Sequence, residues 1–308
     1  MPLLLGITVI SYAMMGLAPG GPAAILTSMA RQMTPADRAI IMHNLGLDRP
    51  WYVQYFFWLK NLVLNHSLGF SFIDGRPVAV KILEKLPVTA ELIGISFVVT
   101  ILIAIPVAIY SATHKNSLVD YLATVVVFAG YGMPTFWLGI MLLTFFSVRL
   151  HWLPSSGLTS IGAGGLDLAD RVRHLLLPVA TLSFVSLASW IRYQRAAMLE
   201  VLGEDFIRTA AAKGLPRRSV IYKHALRNAL LPLITLIGLY LPALLTGAYF
   251  VEIVFSIPGM GYLGLNAVFE RDYPTIMGTV FFSALLVVLG NLLADIAYAA
   301  VDPRIRYA

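Results

Sequence analysis

The 308-residue chain contains no cysteine, and only 12% of its residues are Asp, Glu, Lys or Arg. The first absence excludes disulfides, thiolate metal sites and a cysteine nucleophile, and it leaves the redox compartment open. The second sets the chain apart from soluble globular domains, where about a quarter of residues are charged. Two motifs are missing as well. No Gly-x-x-x-x-Gly-Lys-Ser/Thr occurs, so the chain carries no P-loop to cradle nucleotide phosphates. No nucleophile elbow occurs either, and His43, His66, His114, His151, His174 and His224 all lie outside the expected span interiors, which argues against an intramembrane hydrolase.

What is present is apolar: 58% of residues are hydrophobic and the mean hydropathy is +0.80. A single water-soluble core cannot absorb that composition, so the length is read as several membrane spans. The net charge of +6 is read as lysine and arginine retained on one side of a membrane, not as a nucleic-acid surface. Six apolar stretches have roughly the length needed to cross: residues 2–18, 88–112, 121–148, 175–191, 229–251 and 275–301. The first is marginal, and it lacks the basic lead of a signal peptide.

Counting basic residues in the short loops orients the chain. One set holds Lys115, Arg192, Arg195, Arg208, Lys213, Arg217, Arg218, Lys223, Arg227, Arg304 and Arg306; the other holds Arg149, Arg171, Arg173 and Arg271. Eleven against four places residues 202–228 and both termini in the cytoplasm. The expected fold is therefore all-α, a multi-pass protein with six transmembrane helices. It divides into a first helix (1–18), an extracytoplasmic segment (19–87), a five-helix core (88–301) and a cytoplasmic tail (302–308).

In the external segment, Thr34-Pro35-Ala36-Asp37 reads as an N-cap, an N1 proline and an N3 acid, opening a helix that ends near Gly46. Trp51, Tyr52, Tyr55, Phe56, Phe57 and Trp58 form an aromatic cluster, read as an interfacial anchor or as a contact for something delivered from outside. Helix breakers lie at depth: Pro106, Gly130, Gly132, Pro134, Pro178, Pro232, Pro242 and Gly247. They are ordinary kinks, or residues 129–134 and 240–246, with Gly130, Gly132, Pro134, Pro242 and Thr246, border a pathway that changes shape. Asp295 is the deepest acid, with Asn291 one turn away on the same face. An interhelical hydrogen bond and an ion or proton site are both open for it. Glu91 and Glu252, at outer ends of spans, are expected to be wet.

Residues 202–228 are the longest polar stretch of the second half. Glu204 and Asp205 suit a helix N-terminus, and Glu204 can pair with Arg208 at i,i+4. Ala210-Ala211-Ala212 is strongly helix-forming and offers a smooth surface, Gly214 suits a left-handed stop, and Pro216 suits N1 of a second helix over 217–226. Helix, tight turn, helix is the reading. Such a projection either docks a partner or rests on anionic headgroups through Arg217 and Arg218.

The segment resembles the coupling loop of ABC-type importer permeases: Arg208-Thr209-Ala210, then Gly214, then His224-Ala225-Leu226-Arg227 keep that pattern's spacing, although its leading acid and final proline are absent. Those departures are similar to the dipeptide/oligopeptide/nickel branch. Leu17-Ala18-Pro19-Gly20, Leu45-Gly46-Leu47-Asp48, Arg192-Tyr193, Pro258-Gly259-Met260-Gly261, Arg271-Asp272-Tyr273-Pro274 and Asp302-Pro303-Arg304 fit the same branch, over nearly the whole chain. Gly21 stands where an aspartate often follows Pro-Gly, and similar proteins usually carry basic residues before the first span, which leaves the completeness of this start open.

The resemblance implies a type I importer permease in the inner membrane of a prokaryote. It would pair with a second homologous permease, with two cytoplasmic ATPases that bind ATP and Mg, and with an extracytoplasmic substrate-binding protein. No cofactor or metal is expected in this chain. Residues 206–215 would enter the ATPase groove, with Phe206, Arg208, Thr209, Ala210, Ala211, Lys213, Gly214 and Leu215 in the contact. A peptide is the expected cargo, with nickel, glutathione or an oligosaccharide behind it. A proton- or sodium-driven carrier would need charged midspan sites, and only Asp295 qualifies.

Overall fold

In the computed structural model, residues 2–17, 34–44, 46–160, 167–230, 233 and 248–301 are described. All named elements are helical: α1 (Pro2–Leu17), α2 (Pro35–Asn44), α3 (Trp51–Leu64), α4 (Val78–Thr113), α5 (Leu118–Gly132), α6 (Thr135–Leu142), α7 (Leu168–Leu202), α8 (Asp205–Ala212), α9 (Arg217–Ser219), α10 (Leu226–Ala229), α11 (Met260–Phe269) and α12 (Tyr273–Val301). Two π-helical stretches, Leu143–Arg149 and Val220–Ala225, continue α6 and join α9 to α10. Among the described residues the only β-pairing is an isolated bridge between Phe70 and Pro77.

Among the described residues, three helices are long and apolar enough to cross a membrane: Val78–Thr113, Leu168–Leu202 and Tyr273–Leu292. The stretch expected as one continuous span over 121–148 is instead a broken pair, Leu118–Gly132 and Thr135–Arg149, bent by 109°. Proline explains the break. Pro134 has no N–H to offer the carbonyl of Gly130, and its ring forces the preceding residue out of the helical region. Met133 accordingly sits at φ −101° and ψ 122°. Helix α1 has 16 residues, about 24 Å at 1.5 Å each, short of a core of about 30 Å. The expected span over 229–251 lies mostly outside the described residues.

Two compact units make up the chain. The first comprises Met1–Val88 and Pro258–Leu286, the second Thr89–Ile257 and Val287–Ala308. In the first unit α2 starts at Pro35 and Gly46 takes a left-handed φ of +67°, as the N-cap and stop signals predict. The aromatic cluster divides in two. Trp58 is buried, stacks on Tyr55 at 6.0 Å and meets Phe281 edge-on at 6.2 Å, whereas Tyr52, Phe56 and Phe57 are exposed. Thr8 and Tyr55 hydroxyls, 3.1 Å apart, tie α1 to α3. The unit's core joins Val78 and Ile82 to Met260, with Leu86, Leu263 and Phe282 against them. Gly278 permits close approach, since a Cβ there would lie 2.4 Å from Val78 Cγ1.

Asp272 anchors the segment before α4. It is fully buried and accepts hydrogen bonds from Ser71 Oγ (2.5 Å), Phe72 N–H (2.9 Å) and Thr275 Oγ1 (2.6 Å), with Lys81 Nζ 3.7 Å away. Lys81 also reaches Asp74 at 3.0 Å. Partial burial works to raise the Asp74 pKa, but hydrogen bonds from Lys81, the Arg76 N–H and Ser71 prevail and hold it at about 2.

In the second unit α7 is the central helix, buried along its length from His174 to Met198. Asp167 caps it by accepting from the N–H groups of Ala169 and Asp170. Phe97 meets Trp190 edge-on at 5.8 Å in a core shared by α4, α5 and α7. The two acids expected to be wet are not free in water. Glu252 is fully buried and accepts from Thr89 Oγ1 at 2.5 Å; Glu91 is clasped by Arg171 through both carboxylate oxygens, Nε to Oε1 at 2.8 Å. An acid near a span end looks solvated in sequence, but a partner 163 or 80 residues away supplies the hydrogen bond instead of water.

Candidate functional site

The polar segment after α7 forms the projection that its turn signals predict. Glu204 occupies the N-cap position of α8 without a side-chain cap, and Thr209 Oγ1 bonds back to the Asp205 carbonyl at 2.9 Å. Arg208 approaches Asp205 at i,i+3 (3.7 Å), not Glu204 as the i,i+4 spacing suggests; both side chains are largely exposed, so the pair contributes little. Gly214 stops the helix at φ +79°, its N–H bonded to the Ala211 carbonyl at 3.0 Å. Pro216 is the N-cap of α9 at φ −60° and ψ 140°, and Arg217 takes N1, one residue later than expected. The second helix is also longer, running through the π stretch to Ala229.

Burial sorts the residues expected at the contact. Phe206 and Leu215 are 44% and 39% exposed, and Arg208, Thr209, Ala211, Lys213 and Gly214 are also exposed. Ala210 is not. With Ile207, one turn earlier, it packs into a cluster of Ile109, Ala112, Ala197, Met198, Val220, Ala225 and Ala229. The smooth alanine surface therefore faces the protein's own core at Ala210 and outward at Ala211 and Ala212. The arrangement is a short helix with an apolar underside on the ends of α4 and α7, and an exposed top that carries Phe206 and Leu215 around a left-handed turn.

Of the second group of expected site residues, Gly130, Gly132 and Pro134 are described. Gly130 serves helix contact: a Cβ there would lie 2.6 Å from the Ala188 Cβ, so α5 touches α7 at this point. Gly132 is exposed with nothing within 4 Å of an added Cβ, and Pro134 stands at the 109° break. Pro242 and Thr246 lie outside the described residues, as does the side chain of Asp295. The contrast between the two glycines is testable. Gly130→Ala should lower the stability of the purified protein by about 1–3 kcal/mol through overpacking, while Gly132→Ala should leave its thermal unfolding unchanged. Equal midpoints for the two variants would contradict the assigned contact.

Sequence reasoning missed a buried ion pair beside this projection. Asp120 of α5 accepts from Arg195 of α7 (Nε to Oδ1 2.9 Å, Nη2 to Oδ2 3.1 Å), from Ser111 Oγ of α4 and from the Asn116 N–H at 3.0 Å. In the sequence Arg195 counts only as one basic residue among those of a loop. A local signal for Asp120 was present: Ser117 caps α5 by accepting from the Asp120 N–H, the Ser-x-x-acid spacing of a capping box.

Long apolar helices crossed by buried ion pairs, and a polar projection carried on their ends, define a helical membrane protein. Two family models match it: "Binding-protein-dependent transport system inner membrane component" over residues 104–307, and its N-terminal counterpart over residues 1–93. The chain belongs to this family of binding-protein-dependent transport permeases. Its relatives include the oligopeptide transport system permease protein AppB of Bacillus subtilis, 43% identical over 99% of this chain and 96% of that protein. The dipeptide transport system permease protein DppB of Escherichia coli is 37% identical, and the di/tripeptide transport system permease protein DppB of Pseudomonas aeruginosa 38%, each over the same shares of the two chains.

Proposed function

We propose that this chain is one of two permease subunits of an ATP-driven importer for di- and oligopeptides in a prokaryotic inner membrane. The observation that carries the cargo is the agreement of its relatives: proteins matched over 99% of this chain are named for oligopeptide, dipeptide and di/tripeptide transport. In this reading the chain crosses six times with both termini in the cytoplasm, divided as 1–18, 19–87, 88–301 and 302–308. An extracytoplasmic binding protein delivers the peptide. Two ATPases, which hold ATP and Mg, supply the energy that a chain without a P-loop cannot.

The projection over 202–228 would transmit that energy. Phe206 and Leu215 would enter an apolar groove of the ATPase, with Ala211 and Gly214 allowing close approach and Arg208, Thr209 and Lys213 at the rim. Ala210 would act from beneath, as part of the seat that passes motion to α4 and α7. The passage itself would border Gly132 and Pro134, together with Pro242, Thr246 and Asp295; Gly130 would set its width through the contact with α7.

Gly214→Val tests the docking claim. A β-branched residue at φ +79° is strained by about 1–2 kcal/mol, which should distort the turn while leaving membrane insertion intact. Peptide uptake should fall at least about tenfold, the cost of a lost contact of some 1.4 kcal/mol, with ATPase association weakened in pull-down. Normal uptake with normal association would end the docking assignment. The cargo is tested separately by mass spectrometry of the ligand carried by the binding protein that co-purifies with the complex; a metal chelate or a sugar there would replace the peptide assignment.

A further inference from the structure

A groove of about 590 Å³ opens between the C-terminal end of α4, the start of α5 and the α9 and π segment that follow the left-handed turn. Pro106, Val107, Ile109, Val119 and Ile221 make much of its lining apolar, and Arg217 and Arg218 line it too. No carboxylate lines it. Among the described residues, no ion pair or side-chain hydrogen bond engages either guanidinium. Lys115 and Lys223, on the same two segments, are exposed as well. The groove therefore joins cations to a largely apolar lining.

The lining residues Pro106 and Tyr110 belong to a longer exposed stripe of α4. Val98, Leu102, Pro106 and Tyr110 recur at i,i+4 and are all exposed, giving about 18 Å of apolar track at 1.5 Å per residue. On α5, Leu122 and Val125 are 55% and 62% exposed. Tyr110 and Tyr222 are half-exposed at the level of the arginines, and Tyr110 stacks on His114 with ring centroids 4.3 Å apart. Aromatic rings with a polar tip settle at the headgroup level of a bilayer. Planar guanidinium groups grip phosphate oxygens bidentately.

We propose that this groove binds an anionic diacyl phospholipid, with its phosphate between Arg217 and Arg218 and one acyl chain along the track of α4. A soluble peptide or protein loop would meet two unneutralised cations beside helix surface apolar enough to cross a bilayer. A lipid matches both parts at once. The site lies directly beyond Pro216, on the chain that leaves the left-handed turn, so its occupancy would hold the projection at a fixed depth. The assignment of the lipid to the cytoplasmic leaflet rests on the orientation proposed above.

The test is photo-crosslinking of the full chain, expressed with its partner subunits in bacterial membranes and carrying Tyr222→p-benzoylphenylalanine. The expected adduct is a single phospholipid, with phosphatidylglycerol or cardiolipin enriched over its share of the bulk membrane. Adduct yield should fall about fivefold for each of Arg217→Gln and Arg218→Gln, and the Arg217→Lys/Arg218→Lys variant should retain most of it. Co-purification of the ATPase in every variant checks that the projection has folded. A polypeptide adduct, phospholipid in bulk proportions, an unchanged yield in the double glutamine variant, or suppression by added glycerol 3-phosphate would each overturn the proposal, the last by naming a soluble phosphate as the ligand. Orientation is scored independently with Lys213→Cys and an impermeant maleimide: labelling from outside the cell would overturn the leaflet and leave the lipid site to be judged by its own adduct.

Discussion

Asp120→Ala should destabilise the protein by about 3 kcal/mol, the low end for breaking a buried ion pair because Arg195 keeps a third of its side chain exposed. The loss has three parts. Arg195 is left beside the buried cluster without its counter-charge, while Ser111 Oγ and the Asn116 N–H lose their acceptor. Since Ser111, Asp120 and Arg195 belong to α4, α5 and α7, the three helices are held together at one end by this carboxylate. A second substitution separates charge from packing. Asp120→Asn with Arg195→Met removes both charges and should recover part of the stability. The check is chemical or thermal unfolding of the purified complex for Asp120→Ala and for the cycle of Asp120→Asn, Arg195→Met and the two combined. If the losses of Asp120→Asn and Arg195→Met simply add in the double variant, the pair is not coupled and the clamp contributes nothing as a pair.

Asp272→Ala should cost more, about 3–5 kcal/mol within its own unit, because this carboxylate is fully buried and serves several donors. The Ser71 hydroxyl, the Phe72 N–H and Thr275 Oγ1 would each lose this acceptor, while Lys81 would keep Asp74 and Ser71 Oγ. The segment between α3 and α4 is tied down chiefly by these bonds and by the Phe70–Pro77 bridge. Limited chymotrypsin digestion gives a local readout, because Phe70 lies on that segment, is exposed and is followed by Ser71. Cleavage after Phe70 should accelerate strongly in Asp272→Ala and modestly in Asp272→Asn, which keeps the shape but offers an amide where acceptors are needed. Unchanged cleavage in the alanine variant would show that the segment is held by other contacts.

Local chemistry was legible in the sequence, and long-range pairing was not. The left-handed stop at Gly214 and the helix opened by Pro35 follow from backbone preferences that act within a few residues, and both stand where those preferences put them. The broken span is half legible: Pro134 marks a breaker, but hydropathy is blind to direction and does not show the 109° bend. Composition reports the size of Ala210 and not its facing, which its i,i+3 relation to the buried Ile207 does mark. Asp120, Glu252 and Asp272 show the wider limit. Their partners come 75, 163 and up to 201 residues away, and no window along the chain contains both ends of such a contact.

The Asp120 clamp also sets an order on biogenesis. Asp120 leaves the ribosome 75 residues before Arg195, an interval of about 4–15 s at 5–20 residues per second. For that time the carboxylate has only its near neighbours, the Ser111 hydroxyl and the Asn116 N–H, to keep it company as α4 and α5 are laid down. These two local donors act as a holding arrangement that lets an acid wait for its permanent partner. A nascent chain stalled before Arg195, with Ser111 replaced by alanine, is where a quality-control protease would find the first opening.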